Sequence, residues 1–302
     1  MPENWSGVFA IPMTPFDEQD RIDEEVLRAE IEFCVECGVG GIVTPVMVSE
    51  FFVLSEEERR LMVRVPVEQA AGRVPVVGNC AAINTPLAAS YARYCQEVGA
   101  DAVIAMPPYI GKADATCLKA YYQAISDAVD VPVWIQNAGV AALSPDQVVQ
   151  LCEEIEHVSW VKEEVAPSTH SIGNLIRKAT PAVHGVMGGS GGRYTITERA
   201  RGSRGIVIAC EIADVMQAIW NLLEAGEQVA GGDLFEHALP AVDLEGIMGM
   251  AFAKEIMVRR GVFKNRRLRL QSQPLDDDDL AEIDRVWERL QAELFRRVLE
   301  KQ

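Results

Sequence analysis

Lys162 is the residue whose type and position most directly suggest chemistry in this sequence. It ends a short apolar run, Val158–Val161, whose β-branched and aromatic residues are typical of a buried strand, and Glu163 and Glu164 follow it. Burying an ammonium group is costly unless it is paired or loses its charge. A partly desolvated lysine has a lowered pKa and acts as an amine nucleophile that forms Schiff bases with carbonyl compounds. An ion pair with Glu163 or Glu164 is the alternative interpretation.

The chain has seven lysines, and the other six lie on polar or helical stretches, where we expect them to be exposed to solvent. These six are Lys112, Lys119, Lys178, Lys254, Lys264 and Lys301.

Composition limits the possible partners. The 302 residues include 28 basic and 45 acidic ones, a formal net charge of −17, which argues against nucleic acid or an anionic membrane as a partner. No apolar run approaches the ~20 residues that span a bilayer, and Met1–Trp5 has neither a basic nor an apolar signal-like segment. Because 49% of the residues are hydrophobic, a large core is expected. We therefore expect a soluble, cytoplasmic protein.

The cysteines and histidines do not suggest a metal centre. Cys34 and Cys37 have C-x-x-C spacing but lie within an apolar helical pattern, without a second pair. Zinc or redox use is one interpretation, and buried free thiols are the favoured one. The four histidines are scattered along the chain. The sequence predicts no metal.

Alternation of strands and helices predicts the fold. Eight apolar, β-rich runs recur: Val8–Ile11, Gly41–Val46, Val74–Cys80, Ala102–Met106, Val131–Gln136, Val158–Lys162, Ala182–Val186 and Gly205–Cys210. Helical patterns between them include Asp23–Cys37, Ser55–Ala70, Thr85–Val98, Ala115–Ala128 and Pro145–Ile155. Eight such units predict a (β/α)8 barrel. An open, doubly wound sheet is the alternative, but its glycine-rich nucleotide motif is missing.

After the eighth strand the sequence becomes entirely helical. Asp214–Ala225, Leu234–Arg260 and Asp277–Glu300 are predicted helices, more than the last barrel unit requires. We expect a barrel over residues 1–212, and the last barrel helix with a C-terminal helical extension over 213–302.

Barrel enzymes place their catalytic residues at the C-terminal ends of strands. Because side chains alternate along a strand, Trp160, Lys162 and Glu164 share one face, and Gln136 lies at the end of strand five. The glycine-rich turn Gly188–Gly192 follows strand seven. Its backbone N–H groups either receive an anionic part of the substrate or form a plain flexible loop.

These signals resemble the dihydrodipicolinate synthase and N-acetylneuraminate lyase superfamily over almost the full length. The matching stretches are Ile11–Phe16, Leu54–Arg59, Ala71–Val76, Pro107–Tyr109 and Val161–Glu163. The resemblance implies a (β/α)8 barrel with a C-terminal helical extension, an imine between Lys162 and a 2-oxo acid, and a homotetramer.

Two departures indicate which branch the chain resembles. Val46–Glu50 replaces the usual Gly-Thr-Thr-Gly-Glu loop, and Gln136–Gly139 replaces the usual Tyr-Asn-x-Pro-Gly motif. A glutamine amide does not ionise near neutral pH and cannot relay protons as the tyrosine does, which argues against dihydrodipicolinate synthase activity. The stretches Ser49–Ser55 and Met106–Tyr109, with Gln136 and Glu164, instead resemble the branch that includes 2-keto-3-deoxy-L-arabonate dehydratase. The glycine-rich turn after strand seven departs from that branch.

The resemblance implies a dehydratase acting on a 2-keto-3-deoxy sugar acid, without a cofactor. The implied catalytic residues are Lys162, Glu164 and Gln136. The implied substrate-binding residues are Val48, Ser49, Tyr109, Gly188 and Gly189. A pyruvate-dependent aldolase or a dihydrodipicolinate synthase-like condensing enzyme is the alternative in the same chemistry, and a non-catalytic 2-oxo acid binding protein is the alternative of another class.

Overall fold

Eight parallel strands form a closed barrel in chain order, with β8 paired to β1. The computed structural model describes residues 4–111, 113–270 and 273–299. The strands are β1 (Gly7–Ile11), β2 (Gly41–Thr44), β3 (Val76–Asn79), β4 (Ala102–Ala105), β5 (Val133–Asn137), β6 (Val158–Glu163), β7 (Gly185–Gly188) and β8 (Gly205–Ala209). The predicted (β/α)8 barrel is confirmed, and the open sheet is excluded.

Helices surround the barrel and continue beyond it. They are α1 (Glu24–Glu36), α2 (Glu56–Ala70), α3 (Thr85–Glu97), α4 (Ala115–Ser126), α5 (Pro145–Glu154), α6 (Ser168–Lys178), α7 (Thr195–Ala200), α8 (Ala213–Glu224), α9 (Gln228–Met248), α10 (Met250–Arg259) and α11 (Asp277–Leu299). Ser55 and Ser144 form capping boxes at the starts of α2 and α5, which fix where these helices begin. The exact domain boundary, 212/213, stays a prediction.

Two predicted elements were wrong in their bounds. Strand seven begins at Gly185 and ends at Gly188, later than the predicted Ala182–Val186. A side chain at Gly185 would collide with the Trp160 ring, so packing inside the barrel, which sequence pattern does not show, decides where this strand lies. The single helix predicted over Leu234–Arg260 is two helices, because Gly249 has φ 60° and ends α9 before α10 starts.

Aromatic side chains fill the barrel interior. The rings of Trp134 and Trp160 stack with centroids 5.2 Å apart, and Trp5 and Phe9 pack against them. Both stacked tryptophans are fully buried. They give the barrel an apolar floor beneath the ends of β5 and β6.

Lys254 corrects the expectation that every lysine except Lys162 is exposed. Its side chain is fully buried, and its ammonium lies 2.8 Å from the Glu50 carboxylate and donates to the carbonyl oxygens of Thr14 and Arg267. Burial lowers the pKa of Lys254, and the charge of Glu50 opposes that shift. The pair joins α10 to the loop after β2, so the C-terminal helices are held against the mouth of the barrel.

Replacing Lys254 by methionine is expected to destabilise the protein by about 3–5 kcal/mol, because it leaves the Glu50 carboxylate buried without its cation. Lys264→Met is the matched control. Lys264 is 59% exposed and pairs with Asp23 and Glu25, so its loss is expected to cost less than about 1 kcal/mol. Urea unfolding of both variants measures the difference, and equal midpoints would contradict a structural role for the buried pair.

All seven cysteines are free thiols, and Cys34 is buried in α1. Burial raises the pKa of the Cys37 thiol, which disfavours the reactive thiolate. Within residues 4–111, 113–270 and 273–299, no group of three or more His, Cys, Asp or Glu is arranged to hold a metal ion. None of the helices in these ranges is long and apolar enough to cross a membrane.

Candidate active site

Lys162 and Glu164 meet at the C-terminal end of β6. The Lys162 ammonium lies 3.0 Å from Oε2 of Glu164, and the two side chains are 4% and 19% exposed. Lys162 follows Trp160 by two residues on the same face of the strand, so it stands above the tryptophan floor. An amine in this position has apolar neighbours below it and a proton acceptor beside it. Such surroundings suit an amine nucleophile.

Glu163 points to the other side of β6. Its carboxylate accepts hydrogen bonds from the Asn137 side-chain amide at 2.7 Å and from the backbone N–H of Val165 at 2.9 Å. Burial raises the pKa of Glu163, and the bond from Asn137 opposes this. Of the two glutamates that follow Lys162, only Glu164 therefore pairs with it, while Glu163 fixes the loops after β5 and β6.

Gln136 lies next to Lys162 across the sheet. The two residues are aligned in the register of β5 and β6. Gln136 is 2% exposed, and its side-chain Nε2 has no hydrogen-bond partner within the described part of the chain. Leaving a buried amide donor unpaired is costly. A bound substrate that offers an oxygen atom would satisfy it.

The glycines after β7 make room for two carboxyl groups. A side chain at Gly188 would collide with the carboxyl group of Glu198 on α7, and one at Gly189 would collide with that of Glu164. The backbone N–H of Ser190 donates to Oε1 of Glu164 at 3.1 Å. One amide of the glycine-rich turn thus orients the partner of Lys162, and contact between this turn and a substrate stays a prediction.

Gly189→Ala is expected to lower turnover by roughly 10–10²-fold, because the added methyl displaces the Glu164 carboxylate from Lys162. Gly189 has φ −158° and ψ −128°, outside the helical and extended regions, so circular dichroism of the variant checks that the fold is kept. Gly139→Ala is the control, since its added methyl would meet no atom within 4 Å. Steady-state kinetics compares them, and wild-type turnover in Gly189→Ala would mean that Glu164 needs no fixed position.

The other predicted substrate-binding residues lie around the mouth at different depths. Val48 is half-buried against the apolar interior of the barrel. Ser49 is fully buried, and its hydroxyl donates to the Pro12 carbonyl at 2.6 Å and accepts from the Val46 N–H. The half-buried Tyr109 packs edge-on against Phe51, and burial raises its pKa. Ser49 thus shapes the loop after β2, and the contacts of these residues with a substrate stay predictions.

Comparison with known proteins places this geometry in a family. The sequence profile described as the dihydrodipicolinate synthetase family matches residues 4–289. The chain belongs to this family. The resemblance noted in the sequence is therefore confirmed.

Individual members of the dihydrodipicolinate synthetase family carry different names. An L-2-keto-3-deoxyarabonate dehydratase from Azospirillum brasilense is 26% identical over 96% of each chain. A 4-hydroxy-tetrahydrodipicolinate synthase from Maridesulfovibrio salexigens is 28% identical over 76% of this chain and 79% of the relative. A solved 4-hydroxy-tetrahydrodipicolinate synthase from Methylacidiphilum fumariolicum has a TM-score of 0.88 at 21% identity, covering 96% of this chain and 97% of its own. That structural likeness shows the shared fold.

Three further glutamates of this family member lie near the site and were missed from the sequence. Glu198 is fully buried, accepts from the Ser168 hydroxyl at 2.6 Å and has a pKa raised to about 7 by burial. Glu211 lies two residues after the end of β8, and burial raises its pKa. Glu245 lies on α9, and burial raises its pKa to about 7. They come from α7, the end of β8 and the C-terminal extension, far from Lys162 in sequence.

Proposed function

We propose that this protein is a Schiff-base-forming hydro-lyase that removes water from a 2-keto-3-deoxy sugar acid resembling 2-keto-3-deoxyarabonate. The observation that carries the proposal is the Lys162–Glu164 pair, with 3.0 Å between amine and carboxylate above an apolar floor. The named dehydratase that is 26% identical over 96% of each chain supports it further.

The reaction starts with imine formation at Lys162. Glu164 accepts a proton from the Lys162 ammonium, and the free amine attacks the C2 carbonyl of the substrate. Glu164 then returns this proton to the carbinolamine hydroxyl, which leaves as water. The resulting iminium ion draws electrons from C3, and Glu164 is ionised again. Because this iminium is the electron sink, the reaction needs no metal and no further cofactor.

Glu164 then acts as the general base at C3. It lies beside Lys162 and therefore beside the carbon next to the imine, where it removes a proton to give an enamine. The unpaired Nε2 of Gln136 donates to a substrate oxygen and holds the chain of the sugar acid in line. Departure of the C4 hydroxyl completes the dehydration.

The surroundings of the pair form the substrate pocket in this proposal. Val48 supplies an apolar wall, and Ser49 supports the loop that carries it. Tyr109 borders the opening, and the backbone at Gly188 and Gly189 forms the edge of the pocket at the end of β7, where the carboxyl groups of Glu198 and Glu164 fill the space beside these glycines. We further propose a homotetramer, which light scattering coupled to size-exclusion chromatography measures.

Product analysis with a panel of 2-keto-3-deoxy acids tests the proposed function. The expected result is a product lighter by one water, with no pyruvate released. Release of pyruvate would replace the dehydratase with an aldolase that uses the same imine. A trapped imine without turnover of any acid in the panel would favour a non-catalytic 2-oxo acid binding protein.

A further inference from the structure

Helix α9 brings a second carboxyl group to the turn after β7. A side chain at Gly191 would collide with Oε2 of Glu245, and Gly191 has φ +63°. Two residues further along, the Arg193 guanidinium lies against Gly246 and pairs with Asp243 at 2.9 Å. The C-terminal extension therefore packs against this turn. The half-buried Glu245 side chain lies next to the turn, and Asp243 is exposed at the surface.

Glu164 and Glu245 adjoin the same short turn. Glu164 touches it at Gly189 and Glu245 touches it at Gly191. Consecutive Cα atoms are ~3.8 Å apart, so these two glycines are separated by at most about 7.6 Å. Burial raises the pKa of Glu245, the charges of Lys162 and Arg193 lower it, and that of Glu164 raises it. Glu245 thus lies within electrostatic reach of the Lys162–Glu164 pair.

Glu211, on the segment after β8, interacts electrostatically with Glu245. Glu211 is 1% exposed, and its Oε2 has no hydrogen-bond partner among the described residues. Burial raises its pKa, and the charge of Glu245 raises it further, while Arg260 lowers it. The charge of one carboxyl group disfavours ionisation of the other, so Glu211 favours the protonated form of Glu245.

We propose that Glu245 is the general acid that protonates the departing C4 hydroxyl of the substrate bound to Lys162. This inference rests on the proposed dehydratase function. Glu164 takes the C3 proton, and the C3–H electron pair forms the C2=C3 bond of the enamine. The enamine then forms C3=C4 while the C4–O bond breaks, and the oxygen takes the Glu245 proton and leaves as water. Glu245 is reprotonated from solvent, and Glu164 returns its proton to solvent.

The two proton transfers take place at neighbouring carbons, so a second group placed nearer C4 suits the second transfer. After taking the C3 proton, Glu164 holds it on the side of Lys162, whereas the C4 hydroxyl lies one carbon further along the substrate. Glu245 adjoins the far end of the turn that orients Glu164. It therefore suits the role of acid at the next carbon of a substrate extended along this turn.

Glu245→Gln, compared on two leaving groups, tests the assignment. On the hydroxyl substrate, turnover is expected to fall by roughly 10²–10⁴-fold, the usual range for one general acid. The second substrate is an analogue that carries fluorine in place of the C4 hydroxyl. Fluoride needs little protonation to leave, so its rate of release by Glu245→Gln should stay within about fivefold of the wild-type rate. An equal loss on both substrates would assign Glu245 a structural role and overturn the proposal.

The pH profile gives a second readout. Burial, with Lys162, Glu164, Arg193 and Glu211 facing it, sets the pKa of Glu245 at about 7. The acid form is present below that pH, so wild-type turnover of the hydroxyl substrate should fall as pH rises through about 7. The rate of fluoride release by Glu245→Gln should not fall over this pH range. If it falls all the same, the ionising group is not Glu245.

Deuterium exchange into the pyruvate methyl group separates this proposal from the dehydratase proposal. The exchange needs the imine and the base but no leaving group, so Glu245→Gln should retain it. Glu236→Gln, an exposed position on the same helix, is the matched control and should match wild type in every assay. If Glu245→Gln misfolds and loses exchange, Glu245→Asp is measured in its place. Aspartate keeps a carboxylic acid, so turnover of this variant should still fall as the pH rises.

Two failures remain distinguishable. If the wild-type protein dehydrates none of the 2-keto-3-deoxy acids in the panel, the dehydratase proposal fails, and the proposed role of Glu245 fails with it. If wild type dehydrates its substrate while Glu245→Gln stays within twofold of it, only the assignment of Glu245 is overturned.

Discussion

Replacing Lys162 by arginine should reduce turnover by at least about 10³-fold and abolish deuterium exchange into pyruvate. Arginine keeps a positive charge beside the Glu164 carboxylate, which lies 3.0 Å from the Lys162 ammonium in the wild-type protein. We therefore expect the ion pair and the fold to be preserved. Arginine stays protonated in proteins and cannot attack a carbonyl. Steady-state kinetics and proton NMR of pyruvate in D₂O measure both effects.

Lys178→Arg is the matched control for this substitution. Lys178 is 48% exposed and pairs with Asp146 on the surface, so arginine there should leave turnover and exchange unchanged. Retention of more than a tenth of wild-type turnover in Lys162→Arg would mean that another amine, or no imine at all, carries the reaction.

Glu164→Gln should lower dehydration by roughly 10²–10⁴-fold, while the imine with pyruvate still forms, more slowly, with water taking the Lys162 proton. Glutamine keeps the shape of the side chain and its reach toward Lys162, but it cannot accept the C3 proton. Turnover, exchange into the pyruvate methyl group and borohydride trapping together separate loss of the base from loss of the imine. Exchange should fall with turnover, and trapping should survive.

Glu163→Gln is the neighbouring control, because Glu163 faces away from Lys162 and bonds Asn137 and Val165. Glu163→Gln should lower the free energy of unfolding by about 1–3 kcal/mol, the range for a buried group that loses its hydrogen-bond partner. It should change turnover less than Glu164→Gln does. If Glu164→Gln instead keeps turnover within twofold and changes stability by up to about 1 kcal/mol, Glu164 is only a rim ion pair.

Most of the fold was predictable from sequence because its signals are local and repeated. Eight apolar runs, separated by helical patterns with capping residues such as Ser55 and Ser144, specify strand–helix alternation without tertiary information. Bounds failed where long-range packing decides them. Gly185 starts β7 because it lies against Trp160, and Gly249 divides a continuous helical pattern through its positive φ.

The site was only partly predictable, for the same reason. Lys162 and Glu164 share a strand, so side-chain alternation was enough to bring them together. Glu245 comes from α9, and its proximity depends on how the C-terminal helices pack on the barrel. Lys254 was predicted to be exposed because helical periodicity does not reveal that its face meets Glu50. The glycines at 189 and 191 were the available signal, since each makes room for a carboxyl group.

Imine formation at Lys162 is decided by borohydride reduction of the wild-type protein in the presence of pyruvate, followed by peptide mass mapping. We expect irreversible inactivation and a single reduced adduct on the peptide that contains Lys162. An adduct on another lysine, or none at all, would contradict imine chemistry at this site.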